Sequence, residues 1–375
     1  MKKIVIASDS FKGSLSSLDV AASAKMGILE VLPNCEVVEV NVADGGEGTV
    51  CAIVQALQGE MITTEVKDPL GRSIRATYGL ADKMAIIEMA AASGLPLLLE
   101  EERNPMKTST YGTGELIMDA INRGCDHLLV GIGGSATNDA GTGMLQAMGY
   151  RFYDANDRLI AWCTGETLQH IARIDDSQVD KRVANARFTI ACDVDTPFCG
   201  PHGAAAVFAP QKGADASMVA LLEEGMQSFA AVIQTKYGKD VRSIAGSGAA
   251  GGMGGAFYAF VPSTLKKGIE MVLDAIGFDG LIANADLVIT GEGKIDYQTA
   301  KGKTAAGVLA RAKRQNIPVV AIGGGVEWCE ALDKMGFSAI YQTSEEDVPL
   351  EQAMQHEYAS ARVKEVAKAI VKAML

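Results

Sequence analysis

Residues 3–43 read "KIVIASDSFKGSLSSLDVAASAKMGILEVLPNCEVVEVNVA", and the change of pattern within them decides the fold class. "KIVIAS" (3–8) is a short apolar run stopping at Asp9, as a buried parallel strand does. The segment after it carries Leu18, Ala22, Met26 and Leu29 at helical spacing. Ser16 and Asp19 form a capping box at its start, and Pro33 lies beyond its end. "VVEVNVA" (37–43) is the next strand. Strand, helix, strand in about forty residues is a βαβ unit, which implies a parallel sheet.

The same rhythm returns near the other end of the chain. "ADLVITGEG" (285–293), "PVVAIGGG" (318–325) and "SAIYQTS" (338–344) read as strands, with helical segments between and after them. Five strands with intervening helices predict a flavodoxin- or Rossmann-like α/β domain built from residues 1–62 and 280–375. The middle differs. Residues 60–90 show short alternating runs broken by "DPLG" and "GLADK", which is hairpin chemistry. Further strands at 126–134 and 187–194 make 63–279 an inserted mixed α/β domain. Two domains of this kind place the active site in the cleft between them.

A chain of 375 residues suits two domains, and 48% hydrophobic with 21% charged residues is an ordinary globular composition. The net charge of −12 argues against nucleic acid or an anionic membrane as partner. Anionic substrates would need local lysines, which suffices because charges beyond about 8–10 Å are largely screened. Seven scattered cysteines without a C-x-x-C pair read as reduced thiols, and four dispersed histidines argue against a zinc cluster. The start is too short for a signal peptide, and no run reaches the about 18 apolar residues of a spanning helix. A cytoplasmic protein is expected. A homodimer is compatible with this, and the oligomeric state stays open.

Glycines and acids gather in five loops: "SDSFKGS" (8–14), "DGGEG" (44–48), "GIGGSATNDAGTG" (131–143), "GSGAAGGMGGA" (246–256) and "GEGKID" (291–296). Loops at the carboxyl ends of parallel strands border the ligand crevice of an open α/β sheet. Bare amides and lysines there suit phosphate. Carboxylates suit Mg²⁺, which takes one or two of them together with phosphate oxygens. Together these features describe a phosphoryl-transfer site. Plainer roles stand beside them. Asp44 and Glu47 are also placed to cap a helix starting near Thr49, and Asp193 to shape a turn. Residues 246–251 fit G-x-G-x-x-G, and 131–136 its Ala-ending variant. These matches leave two alternatives open: an NAD-dependent oxidoreductase for a small hydroxy acid, or a non-catalytic sugar-acid-binding protein.

In order along the chain, "IASDSFKGSLS", "VADGGEGT", "IEMAAASGL", "TSTYGTGELI", "GIGGSATNDAGTGM", "CDVDTPFCG", "APQKGA", "GAAGGMGGA" and "LVITGEGKID" resemble the motifs of the bacterial type I glycerate kinases. The resemblance implies ATP-dependent phosphorylation of D-glycerate to 2-phosphoglycerate with Mg²⁺. It assigns substrate binding to Asp9, Ser10, Lys12 and Gly13, and metal binding to Asp44 and Glu47. Nucleotide binding falls to Gly133, Gly134, Ser135, Asn138, Asp139, Gly291 and Gly293. Lys12, Lys294, Asp193 and Asp296 are the catalytic candidates, with Asp193 the base and Asp296 its reserve. Three positions depart from the family's usual residues: Ser8 for proline, Ala140 for glycine and Lys294 for arginine. The last keeps the charge and loses a bidentate fork.

Overall fold

The computed structural model describes residues 1–44, 46, 48–345 and 347–375. Its strands are β1 (Lys3–Ser8), β2 (Glu36–Asn41), β3 (Glu60–Lys67), β4 (Ser73–Ala81), β5 (Met84–Glu88), β6 (His127–Gly131) and β7 (Arg151–Tyr153). They continue with β8 (Arg173–Asp175), β9 (Arg187–Ala191), β10 (Ser263–Lys266), β11 (Leu287–Ile295), β12 (Val319–Val326) and β13 (Ala339–Gln342). Tertiary contacts divide the chain into residues 1–57 with 269–375, and residues 58–268. These joins differ from those expected at 62/63 and 279/280, for two physical reasons. β3 pairs along its whole length with β4, so it belongs with the second unit. Arg311 bonds Glu270, Asp274 and Asp279, which ties the segment after Gly268 to the helix Thr304–Arg314 of the first.

The first unit is one parallel sheet in the order β13-β12-β11-β1-β2. Counted in the unit's own chain order this is 2-1-3-4-5, the flavodoxin-like arrangement, and its switch point lies between β1 and β11. The helix Ser17–Val31 keeps the expected capping box: Asp19 N–H donates to Ser16 Oγ at 3.1 Å, and Ser16 N–H to Asp19 Oδ2 at 3.1 Å. The face marked by Leu18 and Met26 is nevertheless the wet one, at 42% and 51% exposed. Val20, Ala21, Ala24 and Ile28 are buried instead, in a core shared with β1, β11, β12 and the helix His356–Ala373. A Cβ on Gly27 would lie 2.2 Å from the carbonyl oxygen of Lys364, so small residues set this helix against the C-terminal one.

The second unit holds a mixed sheet, order β10-β9-β6-β5-β4-β3, in which β3-β4 and β4-β5 are antiparallel and the other pairs parallel. "DPLG" forms its first hairpin turn. Asp68 Oδ1 accepts the N–H groups of Leu70 and Arg72 at 2.9 Å, and Gly71 takes φ +84. The 22-residue helix Ala216–Tyr237 is long and apolar enough by composition to cross a membrane. Leu222, Met226, Phe229, Ala230 and Ile233 on it are buried. The short pair β7-β8 completes the strands.

Candidate active site

The switch point of the first unit opens into a pocket of about 1330 Å³ lined by the ends of β1, β2, β11, β12 and β13. Asp9 follows β1 directly, and its N–H donates to Gly291 O at 2.9 Å, extending the β1-β11 register by one residue. Its carboxylate accepts Ser10 N–H on Oδ1 and Thr304 Oγ–H on Oδ2, both at 2.7 Å. Burial raises the pKa of this carboxyl, the Thr304 bond opposes that, and the charge of Asp44 adds to the rise.

Across the switch point stands Glu292, only 6% exposed. It is a strand residue, because β11 runs on to Ile295 and pairs Glu292 with Gly323 of β12. The expectation that "GEGKID" follows the strand is therefore corrected. Oε1 of Glu292 accepts the N–H of Ala305 at 3.1 Å. Burial pushes its titration up to about 7; the Ala305 bond and Lys303 oppose this, while Asp9 and Asp44 reinforce it. Three acids thus share one field, which a cation would relieve. Among the described residues no three His, Cys, Asp or Glu could hold a metal ion. One or two of these carboxylates would suit Mg²⁺ only together with phosphate oxygens, which complete its shell.

Lys12 is exposed on the pocket wall. Phe11 and Leu15, both buried, bond each other's backbones at 2.8 and 3.0 Å, and the tight turn between them throws Lys12 and Gly13 outward. Gly13 takes φ +77, open to glycine at little cost. Asp44 also lines the pocket, and its Oδ1 accepts Gly46 N–H at 3.1 Å. The helix Thr49–Ala56 has Gly48 as its N-cap, and among the described residues the bond seen for Asp44 is the one to Gly46. Glu47 lies outside the described residues.

Lys294, 58% exposed, donates to Glu327 at 2.6 Å and lies 3.9 Å from Asp296. Asp296 accepts Gln298 N–H at 2.8 Å and lines the same pocket. Gly293 lines it too, where a Cβ would sit 3.3 Å from Lys12 N. Gly291 is not among the residues lining this pocket. It is buried in the sheet, where a Cβ would meet Ile322 O at 2.6 Å. Lys303 and Thr304 join the site without having been singled out in the sequence, as does Glu292. For Glu292 a signal existed: an acid set between two glycines at the end of the apolar run "LVIT".

The other candidates belong to the second unit. Gly133, Gly134, Ser135, Asn138 and Asp139 form the loop after β6, with Gly134 at φ +72. Asp139 is fully buried and accepts Thr110 N–H and Oγ–H at 2.8 Å, Gly143 N–H at 3.1 Å and Gly141 N–H at 3.2 Å. Through these bonds its oxygens shape the loop. Asn138 is buried as well, with no partner for Nδ2 or Oδ1 among the described residues. Ala140, where the family has glycine, takes φ +51, a left-handed conformation that glycine adopts more easily. The G-x-G-x-x-G match at 246–251 serves packing: at Gly251, φ +67, a Cβ would fall 2.1 Å from Thr137 O. Asp193 is exposed two residues past β9 and accepts Gly268 N–H at 2.9 Å.

Fold and site define a doubly wound α/β protein with charged residues gathered at the switch point of its parallel sheet. The chain belongs to the glycerate kinase family, whose model matches residues 4–375. It is 44% identical over 373 residues to a glycerate kinase of Bacillus subtilis (strain 168), covering 98% of this chain and 97% of that protein. A glycerate 2-kinase of Escherichia coli (strain K12) is 45% identical over 326 residues, 86% of this chain and 85% of that one. A crystal structure from Salmonella typhimurium LT2, provisionally named glycerate kinase 2, superposes with a TM-score of 0.90 at 44% identity. It covers 100% of this chain and 98% of that chain. The oxidoreductase and non-catalytic alternatives find no support in these likenesses.

Proposed function

We propose that this enzyme transfers the γ-phosphoryl group of ATP to the 2-hydroxyl of D-glycerate, giving 2-phosphoglycerate and ADP. The observation that carries the reading is that Asp9 and Glu292, which follow the paired Ser8 and Gly291 at the β1-β11 switch point, line one pocket with Asp44 and Lys12. The hydroxyl oxygen attacks the γ-phosphorus, the bond to the ADP oxygen breaks, and the hydroxyl proton passes to a carboxylate. Lys12, with Ser10 and the amides near Gly13, binds the glycerate carboxylate or the moving phosphoryl group. Asp44, together with Glu47, holds Mg²⁺, which when bound neutralises charge on the phosphates. The loop 133–138 seats nucleotide phosphates, with Asn138 as a polar contact. Lys294 adds positive charge where the phosphoryl group moves.

Three acids are candidates for the role of base. Asp193 remains the reading from sequence, with Asp296 in reserve. Glu292 joins it, because a base works best when it titrates near the working pH, and burial brings this residue there. The seven unpaired cysteines support a reducing, cytoplasmic setting.

The test is ATP- and Mg²⁺-dependent turnover of D-glycerate, coupled through enolase, pyruvate kinase and lactate dehydrogenase, with and without phosphoglycerate mutase. NADH loss without the mutase supports the 2-phospho product. Loss only with the mutase moves the product to 3-phosphoglycerate. No loss in either assay rejects D-glycerate as acceptor.

A further inference from the structure

Lys212, in the "APQKGA" segment, is 2% exposed, yet lysine is almost never fully buried without partners. Its backbone is held on both sides. It ends the turn Pro210–Lys212, and Gly213 follows at φ +95, where a Cβ would lie 2.2 Å from Arg103 O. The side chain runs inward, and Nζ donates to Ser135 Oγ and to Thr137 O, each at 2.7 Å. Burial lowers its pKa to about 7, and the Asp139 carboxylate acts in the opposite sense.

The ammonium therefore grips the loop after β6 at two points. Thr137 O is pressed from elsewhere by Gly251, where any side chain would collide with it. Ala136 is anchored as well: its N–H donates to Ser93 O at 2.9 Å, and its carbonyl accepts Thr108 Oγ–H at 2.9 Å. Just before these anchors, the amides of Gly133, Gly134 and Ser135 have no intramolecular partner among the described residues. Thr137 Oγ1 and both polar atoms of Asn138 are buried without partners among the described residues. Successive unpaired amides on a rigid loop form an anion-binding concavity. Buried polar side chains left unsatisfied call for a ligand or water to complete them.

We propose that Lys212 is a positioning residue for the nucleotide: by holding Ser135 and Thr137 it fixes the 133–138 loop in the shape that receives the phosphates. This rests on the reading that the loop seats the nucleotide. Lys212 acts through the loop and is not assigned contact with the reacting atoms. A charged donor placed this way also biases the loop towards an anion.

The test is Lys212→Met in the full-length protein, which removes the ammonium at similar length. ADP with Mg²⁺ is titrated calorimetrically, and the KM for D-glycerate is measured separately. The expected result is about tenfold to a hundredfold weaker ADP binding, the loss expected for a charge-assisted hydrogen bond, with the glycerate KM within about twofold. A merely structural lysine would not separate the two substrates. Unchanged ADP affinity in the folded variant overturns the proposal; the reading of the loop then stands if Asn138→Ala still weakens ADP. A raised glycerate KM with ADP affinity kept overturns both. If Lys212→Met does not fold, Lys212→Gln keeps a donor towards Ser135 and Thr137 and removes the charge. Several-fold weaker ADP binding there supports the proposal, and unchanged binding overturns it.

Discussion

Glu292 on β11 accepts the N–H of Ala305, the second residue of the helix Thr304–Arg314, at 3.1 Å. Asp9, following β1, accepts the hydroxyl of Thr304 at 2.7 Å. One helix start thus holds an acid from each side of the switch point, and its unpaired amides favour the charged forms. Burial works against that preference more strongly for Glu292, whose titration ends near 7. If Glu292 is the base, kcat/KM rises with pH through about 7, because the ionised form is the active one. Glu292→Gln removes this limb and lowers kcat by about 10²–10⁴-fold, the usual worth of general-base catalysis. Asp193→Asn made in parallel decides between the two acids: the true base is the one whose loss abolishes the limb.

The same carboxyl gives a stability signature with a definite sign. Its folded pKa lies above the ordinary value of 4.5, so the folded state holds the proton more tightly than the unfolded one. The stabilisation is complete below pH 4.5 and is lost as pH rises through about 7. Urea unfolding across that window should show the wild type weakening with pH and Glu292→Gln weakening less. Parallel curves would mean that Glu292 is not buried as described.

Asp44→Asn addresses the metal. Asp44 shares the pocket with Asp9 and Glu292 and raises the pKa of both. The substitution should raise the Mg²⁺ concentration for half-maximal rate by about tenfold or more, as the loss of a charged ligand would. Titrating Mg²⁺ at fixed ATP measures this, and an unshifted midpoint removes Asp44 from the metal site.

Gly251→Ala probes the loop packing in the second unit. A Cβ there would lie 2.1 Å from Thr137 O, on a backbone at φ +67. Collision and strain together should cost about 3 kcal/mol or more. Denaturant unfolding tests it, and a loss below about 1 kcal/mol would show that the two loops can move apart.

Arg311 anchors the first unit where the chain returns to it. It is buried, and its guanidinium bonds Glu270 at 3.1 Å, Asp274 at 2.5 Å and Asp279 at 2.9 Å. Arg311→Met leaves three crowded acids without their cation and should cost about 3 kcal/mol. The loss should shrink in high salt, where the repulsion is screened. A variant as stable as wild type at low salt would show that the acids reorient into water.

Local chemistry by itself determined the βαβ opening, the "DPLG" hairpin turn, the capping box at Ser16 and Asp19, and the return of strands near the C-terminus. Each depends on residues within a turn or strand of one another, so neighbours along the chain suffice to specify it. The loop "SDSFKGS" leaves β1 beside β11, whose last residues "GEGKI" stay in the sheet, so the register of these neighbouring strands brings the two stretches together.

What only tertiary structure decided depends on distant partners. The helix Ser17–Val31 is apolar around much of its circumference, so spacing alone could not choose its buried face. The choice fell to Ala21, Ala24 and Gly27, small enough for the helix His356–Ala373 to approach. Glu292 reads as a loop acid until β12 pairs beyond it and burial shifts its titration. Nothing in the sequence near Lys212 sets it apart until the chain buries it against Ser135 and Thr137, 77 and 75 residues away. Burial is a property of the folded chain, and it is burial that turns these ordinary charges into candidates for chemistry.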